Sequence, residues 1–243
     1  PQRGILICRS KKMLDELREE ICEANRSLPG SGLVRLTWGN VSGIDKDKAV
    51  FGIKPSGIDY SKLKPKDIVL VDLDGKVVEG DLNPSSDTKT HLELYRAWPE
   101  IGGITHTHSP SATSLAQLGK ELPCYGTTHA DHFYGTVPIC RALTTEEVVE
   151  DYEKNTGLVI VEHFSAKSID PNQIPGVLQL HHAPFTWGKN AAKSLENSIA
   201  LEMCASMALK CWNIDPSMKP IPQHILDKHF LRKHGPGSYY GQG

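Results

Sequence analysis

Apolar residues recur every three to four positions in several stretches of the chain, with polar residues on the opposite side. This spacing is typical of amphipathic helices, which bury one face and expose the other. The predicted helices cover residues 13–28, 88–97, 110–118, 145–155, 192–211 and 223–234. Pro29 and Gly30 end the first helix. Thr144 or Thr145 caps the fourth, which Gly157 closes.

Short apolar runs bounded by turn residues lie between these helices and predict strands. They cover residues 33–36, 50–53, 68–71, 76–78, 101–105, 158–161 and 177–180. Asp74-Gly75 separates two of these runs and is a typical hairpin turn. No internal repeat, low-complexity tract or linker interrupts the series, so we expect one mixed α/β domain with a helix-rich half.

Composition narrows the class of protein without identifying it. The 243 residues are 39% apolar and 23% charged, which are ordinary values for a soluble globular protein. The formal net charge of −2 argues against nucleic acid or a membrane surface as a partner held by bulk electrostatics. No run approaches the ~20 apolar residues of a membrane span, so we expect a cytoplasmic protein. None of the six cysteines pairs at the two-residue gap of a thiolate zinc site, and we expect reduced thiols.

Histidines cluster at the ends of two predicted strands. His106 and His108 follow one strand. Because alternate strand residues point to the same face, both imidazoles can bind one ion. His181 and His182 end another strand and are the source of a third ligand. Three neutral imidazoles leave coordination positions open, as a catalytic zinc requires. Manganese or cobalt also suits such a site. The alternative is a set of surface histidines without a metal.

Three polar segments are candidates for binding a phosphate group. They cover residues 37–42, 54–57 and 84–88, and they combine small residues, hydroxyls and one lysine. Backbone N–H groups at such positions can hold an anion without a general positive field. The third segment also lies at the start of the predicted helix 88–97, where the helix dipole favours an anion. Each segment alone is equally compatible with a plain turn.

Two further segments carry acid, base and aromatic groups. Residues 126–131 bring Asp131 close to His129 in a loop, where a helix cap or turn is the simpler interpretation. Residues 227–241 include Tyr239 and Tyr240 near the end of the chain. Chain ends are usually frayed, so two tyrosines there suggest docking onto another surface, such as a neighbouring subunit.

Eight motifs along the chain, taken together, resemble the class II aldolase/epimerase family. They are TWGNVS, KPSG, PSSDT, THTHS, GTTHAD, HHAPFTWGKN, DKHFLRKHG and YYGQ. The resemblance covers residues 13–242 and implies a single α/β domain over 13–243, with a central, mainly antiparallel sheet flanked by helices. Residues 1–12 lie outside it and are expected to form an N-terminal extension. One departure is Leu180, where the family often has a histidine.

The resemblance also implies a role for individual residues. It assigns His106, His108 and His182 as metal ligands, selecting His182 over His181 because the ligand lies two positions before a proline, and it puts Asp87 beside the metal. The implied substrate and phosphate contacts are Gly39, Asn40, Lys54, Ser56, Gly57, Ser85 and Ser86. Asp131 and Tyr240 correspond to a proton donor and acceptor pair, with His229 nearby. In similar proteins these come partly from an adjacent subunit, so we expect a homotetramer with active sites at subunit interfaces.

The activity implied by the resemblance is epimerisation of a phosphorylated pentulose through retro-aldol and aldol steps. Aspartate at position 87 favours an epimerase, because the family's aldolases carry glutamate there. A lyase of the same family, which releases an aldehyde, is the nearest alternative. A metallohydrolase would give the phosphate-binding segments no role. A non-catalytic metal-binding module would leave Asp131 and Tyr240 without a reaction to support.

Overall fold

A computed structural model describes the backbone of residues 2–235 and 238–239, with side chains described from residue 14 onward. The helices are α1 (Gln2–Ser27), α2 (Thr88–Ala97), α3 (Pro110–Leu118), α4 (Thr127–Ala130), α5 (Thr145–Ala166), α6 (Ala191–Ile214) and α7 (Gln223–His234). The strands are β1 (Gly39–Asp45), β2 (Val50–Ile53), β3 (Val69–Asp72), β4 (Val77–Glu79), β5 (Gly103–Thr107), β6 (Ile139–Cys140), β7 (Gly176–Gln179) and β8 (Pro184–Gly188). A short 3-10 helix covers Pro65–Asp67.

The strands form one sheet in the order β4-β3-β2-β1-β5-β8-β7-β6. Every neighbouring pair is antiparallel except β6 and β7, which run parallel. The expected mainly antiparallel sheet is therefore confirmed. The hairpin at Asp74-Gly75 is confirmed as well, since it joins β3 to β4.

Alternation along the strands supplies an apolar surface to both faces of the sheet. On one face, side chains such as Phe51 and Val71 pack against α2 and α5. On the other, Val41 and Ile68 pack against α1 and the start of α6, and Leu178 packs against α3 and the middle of α6. The result is a sheet between two layers of helices, with β1, β5 and β8 at its centre. None of the helices that the structure describes is long and apolar enough to cross a membrane.

The helix predictions for 88–97, 110–118 and 223–234 are confirmed to the residue. Helix α1 begins at Gln2, well before the predicted start at residue 13. It runs through residue 13 without a break, and the proposed boundary between extension and domain stays a prediction.

Two predicted strands are wrong. Residues 33–36 form a loop, although Leu33 and Val34 are buried beneath α1. Residues 158–161 lie inside α5, where Val159, Ile160 and Phe164 form a helical apolar face against the core. Burial alone makes a short apolar run, and that pattern cannot distinguish a strand from a buried helix segment. Three strands, β1, β6 and β8, were not predicted.

Candidate functional site

Three imidazoles converge where β5 meets the turn between β7 and β8. Alternation along β5 directs Ile104 and His106 to the face covered by α2 and α5, whereas Thr105 shares a 2.7 Å hydrogen bond with Ser194 of α6 on the other face. The centroids of the His106, His108 and His182 rings lie 4.9 to 5.1 Å apart. Their candidate ligand atoms lie within 4.8 Å of one another, close enough to share one ion.

The backbone around these rings orients them. The Nδ1 N–H of His106 donates to the carbonyl of Pro184 at 3.0 Å, which leaves Nε2 with its lone pair for a metal. The same ring stacks on Phe185 with centroids 4.1 Å apart. In the adjacent turn, His181 takes a left-handed φ of 63°, a conformation that costs energy for a non-glycine residue. His181 is exposed, and the next residue, His182, faces the other two imidazoles.

Burial keeps the imidazoles of His108 and His182 neutral. Loss of hydration, with added repulsion from neighbouring histidines, lowers the pKa of His108 to about 4 and that of His182 to about 3. Neutral imidazole is the form that binds a metal. The Nδ1 atom of His182 is buried and has no hydrogen-bond partner among the described residues. Three convergent imidazoles fit a divalent ion such as zinc.

Asp87 lies beside the imidazoles at the N-terminus of α2. The Asn40 side-chain amide donates to Asp87 Oδ2 at 2.6 Å and to Ser85 Oγ at 3.1 Å. Burial opposes a charge on this carboxyl group, but the His106 ring beside it and the hydrogen bond from the Asn40 amide outweigh burial and hold the pKa of Asp87 below its ordinary value. Whether Asp87 binds the metal directly stays a prediction.

Two of the predicted phosphate segments lie side by side next to this centre. The amide of Ser56 donates to the carbonyl of Asn83 at 3.0 Å, and the amide of Ser85 donates to the carbonyl of Lys54 at 3.1 Å. Ser56, Gly57 and Ser86 remain exposed on the paired loops. We call residues 54–57 and 83–86 the anion loops.

Lys54 is the cation of the anion loops. Its side chain is only 2% exposed, and its ammonium donates to the carbonyl of Pro55 at 3.2 Å and lies 4.9 Å from the centroid of the Tyr60 ring. Burial lowers the pKa of Lys54 to about 8, although the Asp59 carboxylate partly offsets the effect. A partly desolvated ammonium binds an anion strongly.

All of the predicted substrate-binding residues and the predicted metal residues line one cleft of about 350 Å³. The cleft is lined by Thr37, Trp38, Gly39, Asn40, Lys54, Pro55, Ser56, Gly57, Ser85, Ser86, Asp87, His106, His108, Tyr152, Glu153 and His182. The Asn40 amide links the imidazole end to the anion loops. This arrangement can hold a small phosphorylated molecule with its oxygens at a metal.

Asp131 and His229, the predicted acid and base residues that the structure describes, do not line this cleft. Asp131 ends α4, and its carboxylate accepts hydrogen bonds from His229 at 3.1 Å and Arg232 at 3.0 Å, with the Lys233 ammonium at 3.4 Å. Burial opposes its charge, but the hydrogen bonds from Arg232 and His229 and the positive charges of Lys233 and Arg232 outweigh burial and lower the pKa of Asp131. We call these four residues the Asp131 cluster. Tyr240 lies outside the described residues.

The Asp131 cluster lies towards the opposite end of β5 from the imidazoles. His234 donates from Nε2 to the Asp131 carbonyl at 3.0 Å. His234 also lines a second cavity of about 210 Å³ together with Gly188, which pairs with Gly103 at the start of β5. The strand rises about 13 Å between Gly103 and Thr107 at ~3.3 Å per residue.

Sequence reasoning missed several residues of the site. Tyr152 and Glu153 line the cleft from α5, and Tyr152 lies 5.9 Å from the His182 ring. Burial, followed by the negative charge of Asp87, raises the pKa of the Tyr152 hydroxyl. His91 is fully buried behind the site and shares a 2.7 Å hydrogen bond with Ser42 Oγ. No local pattern separated these residues from ordinary helix positions.

Comparison with known proteins defines the class. Residues 19–209 match the family described as Class II Aldolase and Adducin N-terminal domain. The chain therefore belongs to this family, as the motifs indicated.

Individual relatives narrow the comparison further. The L-ribulose-5-phosphate 4-epimerase UlaF of Salmonella paratyphi C (strain RKS4594) is 48% identical over 229 residues, which cover 94% of this chain and all of the relative. The protein of the same description from Salmonella typhi has the same identity and coverage. Among solved structures, L-fuculose 1-phosphate aldolase is 27% identical with a TM-score of 0.74, covering 88% of this chain and 94% of that chain. The chain thus has relatives that are named as epimerases and one that is named as an aldolase.

Proposed function

We propose that this chain is an L-ribulose-5-phosphate 4-epimerase, which interconverts L-ribulose 5-phosphate and D-xylulose 5-phosphate. One observation carries the proposal: a single cleft holds three convergent imidazoles and two anion loops, joined by the Asn40 amide. The 48% identity to relatives of that description, over 94% of the chain, supports the choice of reaction within the family.

The chemistry of the substrate explains why such a cleft is needed. C4 carries a hydroxyl group and is not adjacent to the carbonyl, so its C–H bond is not acidic. Inversion at C4 therefore proceeds by breaking and re-forming the C3–C4 bond. The three imidazoles suit zinc, and manganese or cobalt fits the same ligands. When bound, the ion supplies Lewis-acid stabilisation of the negative charge that develops on the C2 and C3 oxygens.

The anion loops hold the C5 phosphate throughout the reaction. Lys54 supplies the charge, while Ser56, Gly57, Ser85 and Ser86 supply hydroxyl and backbone N–H donors. Glycolaldehyde phosphate, the fragment that leaves C3, stays tethered by these contacts. It can then present its other face to C3 without escaping to solvent.

Two proton transfers complete the reaction. The C4 hydroxyl loses its proton as the C3–C4 bond breaks, and the new C4 alkoxide gains a proton after addition to the opposite face. We assign these roles to Asp131 and Tyr240, with His229 supporting Asp131 through the 3.1 Å hydrogen bond. Since Asp131 does not line the cleft of its own chain, we assign it to the cleft of an adjacent subunit. The proposed active form is a homotetramer with active sites at subunit interfaces.

The proposal includes a cytoplasmic location. Charged phosphate esters do not cross a bilayer unaided, so substrate and enzyme share one compartment. The described cysteines, Cys22, Cys124, Cys140, Cys204 and Cys211, are all free, which fits a reducing environment.

A coupled assay tests the proposed function. We expect L-ribulose 5-phosphate to be converted to D-xylulose 5-phosphate, the activity to disappear after chelation, and zinc to restore it. Absence of turnover with zinc, manganese and cobalt would overturn the proposal. Accumulation of free glycolaldehyde phosphate in an aldehyde trap, instead of D-xylulose 5-phosphate, would assign the lyase reaction to the chain.

A further inference from the structure

Helix α5 is broken at Asp151, directly before two residues of the cleft. Asp151 has φ −166° and ψ 88°, an extended conformation between two helical segments. Its carboxylate accepts a hydrogen bond from the amide of Lys154 at 3.4 Å and pairs with the Lys89 ammonium of α2 at 2.7 Å. Asp151 therefore acts as the N-cap of the second segment, and Tyr152 becomes the first residue of that segment.

The second segment of α5 packs closely against α2, the helix that begins beside Asp87. The Thr90 hydroxyl donates to the carbonyl of Glu153 at 2.6 Å. Gly157 lies so close to α2 that a Cβ there would meet the carbonyl oxygen of Thr90 and the Cβ of Glu93, both at 2.9 Å. These contacts leave the second segment of α5 little freedom to move relative to the imidazole centre.

The break brings the Tyr152 ring to the imidazole end of the cleft. Its centroid lies 5.9 Å from that of His182, at an interplanar angle of 50°. The side chain is 37% exposed, and it lines the cleft. Lys54, Ser56 and Ser85 of the anion loops line the same cleft. If a ligand has its phosphate on the anion loops and C2 at the imidazoles, C1 must lie next to the imidazole centre, because it is bonded to C2. Tyr152 borders that centre.

We propose that Tyr152 is a substrate-positioning residue whose hydroxyl donates a hydrogen bond to the C1 hydroxyl group of the bound pentulose phosphate. The inference rests on the proposed function, which puts the C5 phosphate on the anion loops and C2 and C3 at the imidazoles. Epimerisation requires the two-carbon aldehyde to turn while the three-carbon fragment stays still. Tyr152 holds the end of the fragment that must not move.

The other interpretation of Tyr152 is that only its ring contacts the ligand, without a hydrogen bond from the hydroxyl group. The Tyr152→Phe variant distinguishes these two interpretations. Phenylalanine keeps the ring beside His182 and removes only the hydroxyl group. The matched control is Val149→Ala, because Val149 is 81% exposed on the first segment of α5 and does not line the cleft. Bound zinc per subunit should be the same in both variants and in the original protein.

The test compares L-ribulose 5-phosphate with its 1-deoxy analogue. We expect the original protein to prefer the natural substrate in kcat/KM by about tenfold, the worth of one hydrogen bond to a neutral group. Tyr152→Phe should lower kcat/KM for the natural substrate by about the same factor and leave the 1-deoxy analogue unchanged, so that the preference disappears. Val149→Ala should keep the preference.

Binding gives a second readout that does not depend on turnover. In an Asp131→Asn background, the dissociation constants of the two ligands should show the same loss of preference on Tyr152→Phe. An unchanged preference in the phenylalanine variant, or an equal loss for both ligands, would overturn the role of the hydroxyl. Failure of the proposed function is recognised separately, because the original protein would then convert neither ligand.

Discussion

The substrate cleft and the Asp131 cluster are both polar, but they are built in opposite ways. The cleft collects neutral imidazoles and exposed hydroxyls, and buried atoms such as Asn40 Oδ1 and His182 Nδ1 have no hydrogen-bond partner within the described residues. In the cluster, the Asp131 carboxylate is surrounded by His229, Arg232 and Lys233. Unpaired buried polar atoms are costly unless a ligand or water satisfies them.

Under the proposed function, this difference means that one chain carries two halves of a site that it does not join. The groups of the cleft fit a metal and a phosphate, whereas the cluster holds a carboxylate that its lowered pKa keeps ionised. They lie towards opposite ends of β5. A second subunit that covers the cleft with its own cluster would combine binding with proton transfer.

Removal of one imidazole should have the largest effect. In His108→Ala, we expect bound zinc to fall below one ion per subunit and kcat/KM to fall by about a thousandfold or more, since the loss of the ion removes several kcal/mol of stabilisation. Elemental analysis of the purified protein measures the zinc. His181→Ala is the matched control, because His181 is exposed and adjoins His182. Full zinc occupancy in His108→Ala would exclude His108 from the ligand set.

Substitution of the acid and base residue should preserve binding and abolish chemistry. In Asp131→Asn, we expect kcat to fall by about 10²–10⁴-fold, the usual worth of a general acid or base. Zinc content and the dissociation constant of inorganic phosphate should stay within twofold of the original values, because Asp131 belongs neither to the three imidazoles nor to the anion loops. Turnover at the original rate would remove Asp131 from the mechanism.

Mixed subunits test whether the two halves belong to different chains. Asp131→Asn and His108→Ala are each inactive alone, but a neighbour pair can offer an intact cleft and an intact cluster. In a ring assembled at random from equal amounts, about a quarter of the sites combine both, so about a quarter of the original activity should return. No recovery after co-refolding would mean that both residues act within one chain.

The affinity of the cleft for the phosphate group should depend on pH through the charge of Lys54. Burial lowers its pKa to about 8, so the ammonium is charged below this pH and neutral above it. We therefore expect kcat/KM to decline above pH 8 and Lys54→Met to remove that limb while lowering kcat/KM at pH 7 by about 10- to 100-fold. Lys62→Met is the control, because Lys62 is exposed nearby. Persistence of the limb in Lys54→Met would assign it to another group.

Local patterns predicted the elements whose own residues determine them. Helices α2 and α3 have amphipathic spacing and clear starts, and their bounds match the prediction. The convergence of His106 and His108 follows from alternation along one strand. Strand β1 was missed because its sequence is polar; Ser42 becomes acceptable in the core only through hydrogen bonds to His91 and Tyr95, which are distant in sequence.

The rest of the site depends on backbone geometry that a sequence does not display. The left-handed conformation of His181 directs His182, rather than its neighbour, to the other imidazoles. The break at Asp151 makes Tyr152, to which the sequence analysis assigned no role, a residue of the cleft. Asp131 was recognisable as a candidate acid or base, but its distance from the cleft depends on the packing of α7.

The smallest expected effect concerns the backbone that joins the imidazole centre to β1. Gly39 has a φ of 124°, and a Cβ there would lie 2.9 Å from both the His106 carbonyl oxygen and Val34 Cγ1. Gly39→Ala should therefore lower the free energy of unfolding of the metal-free protein by about 1–3 kcal/mol, measured in urea. Gly126→Ala is the matched control, since a Cβ at Gly126 meets no atom within 4 Å. Zinc affinity should fall only in Gly39→Ala, because relief of the clash displaces the backbone of a ligand. Equal stability and equal zinc affinity in the two variants would show that His106 holds its position without the close approach of β1, and the order of the imidazole centre would then come from β8 alone.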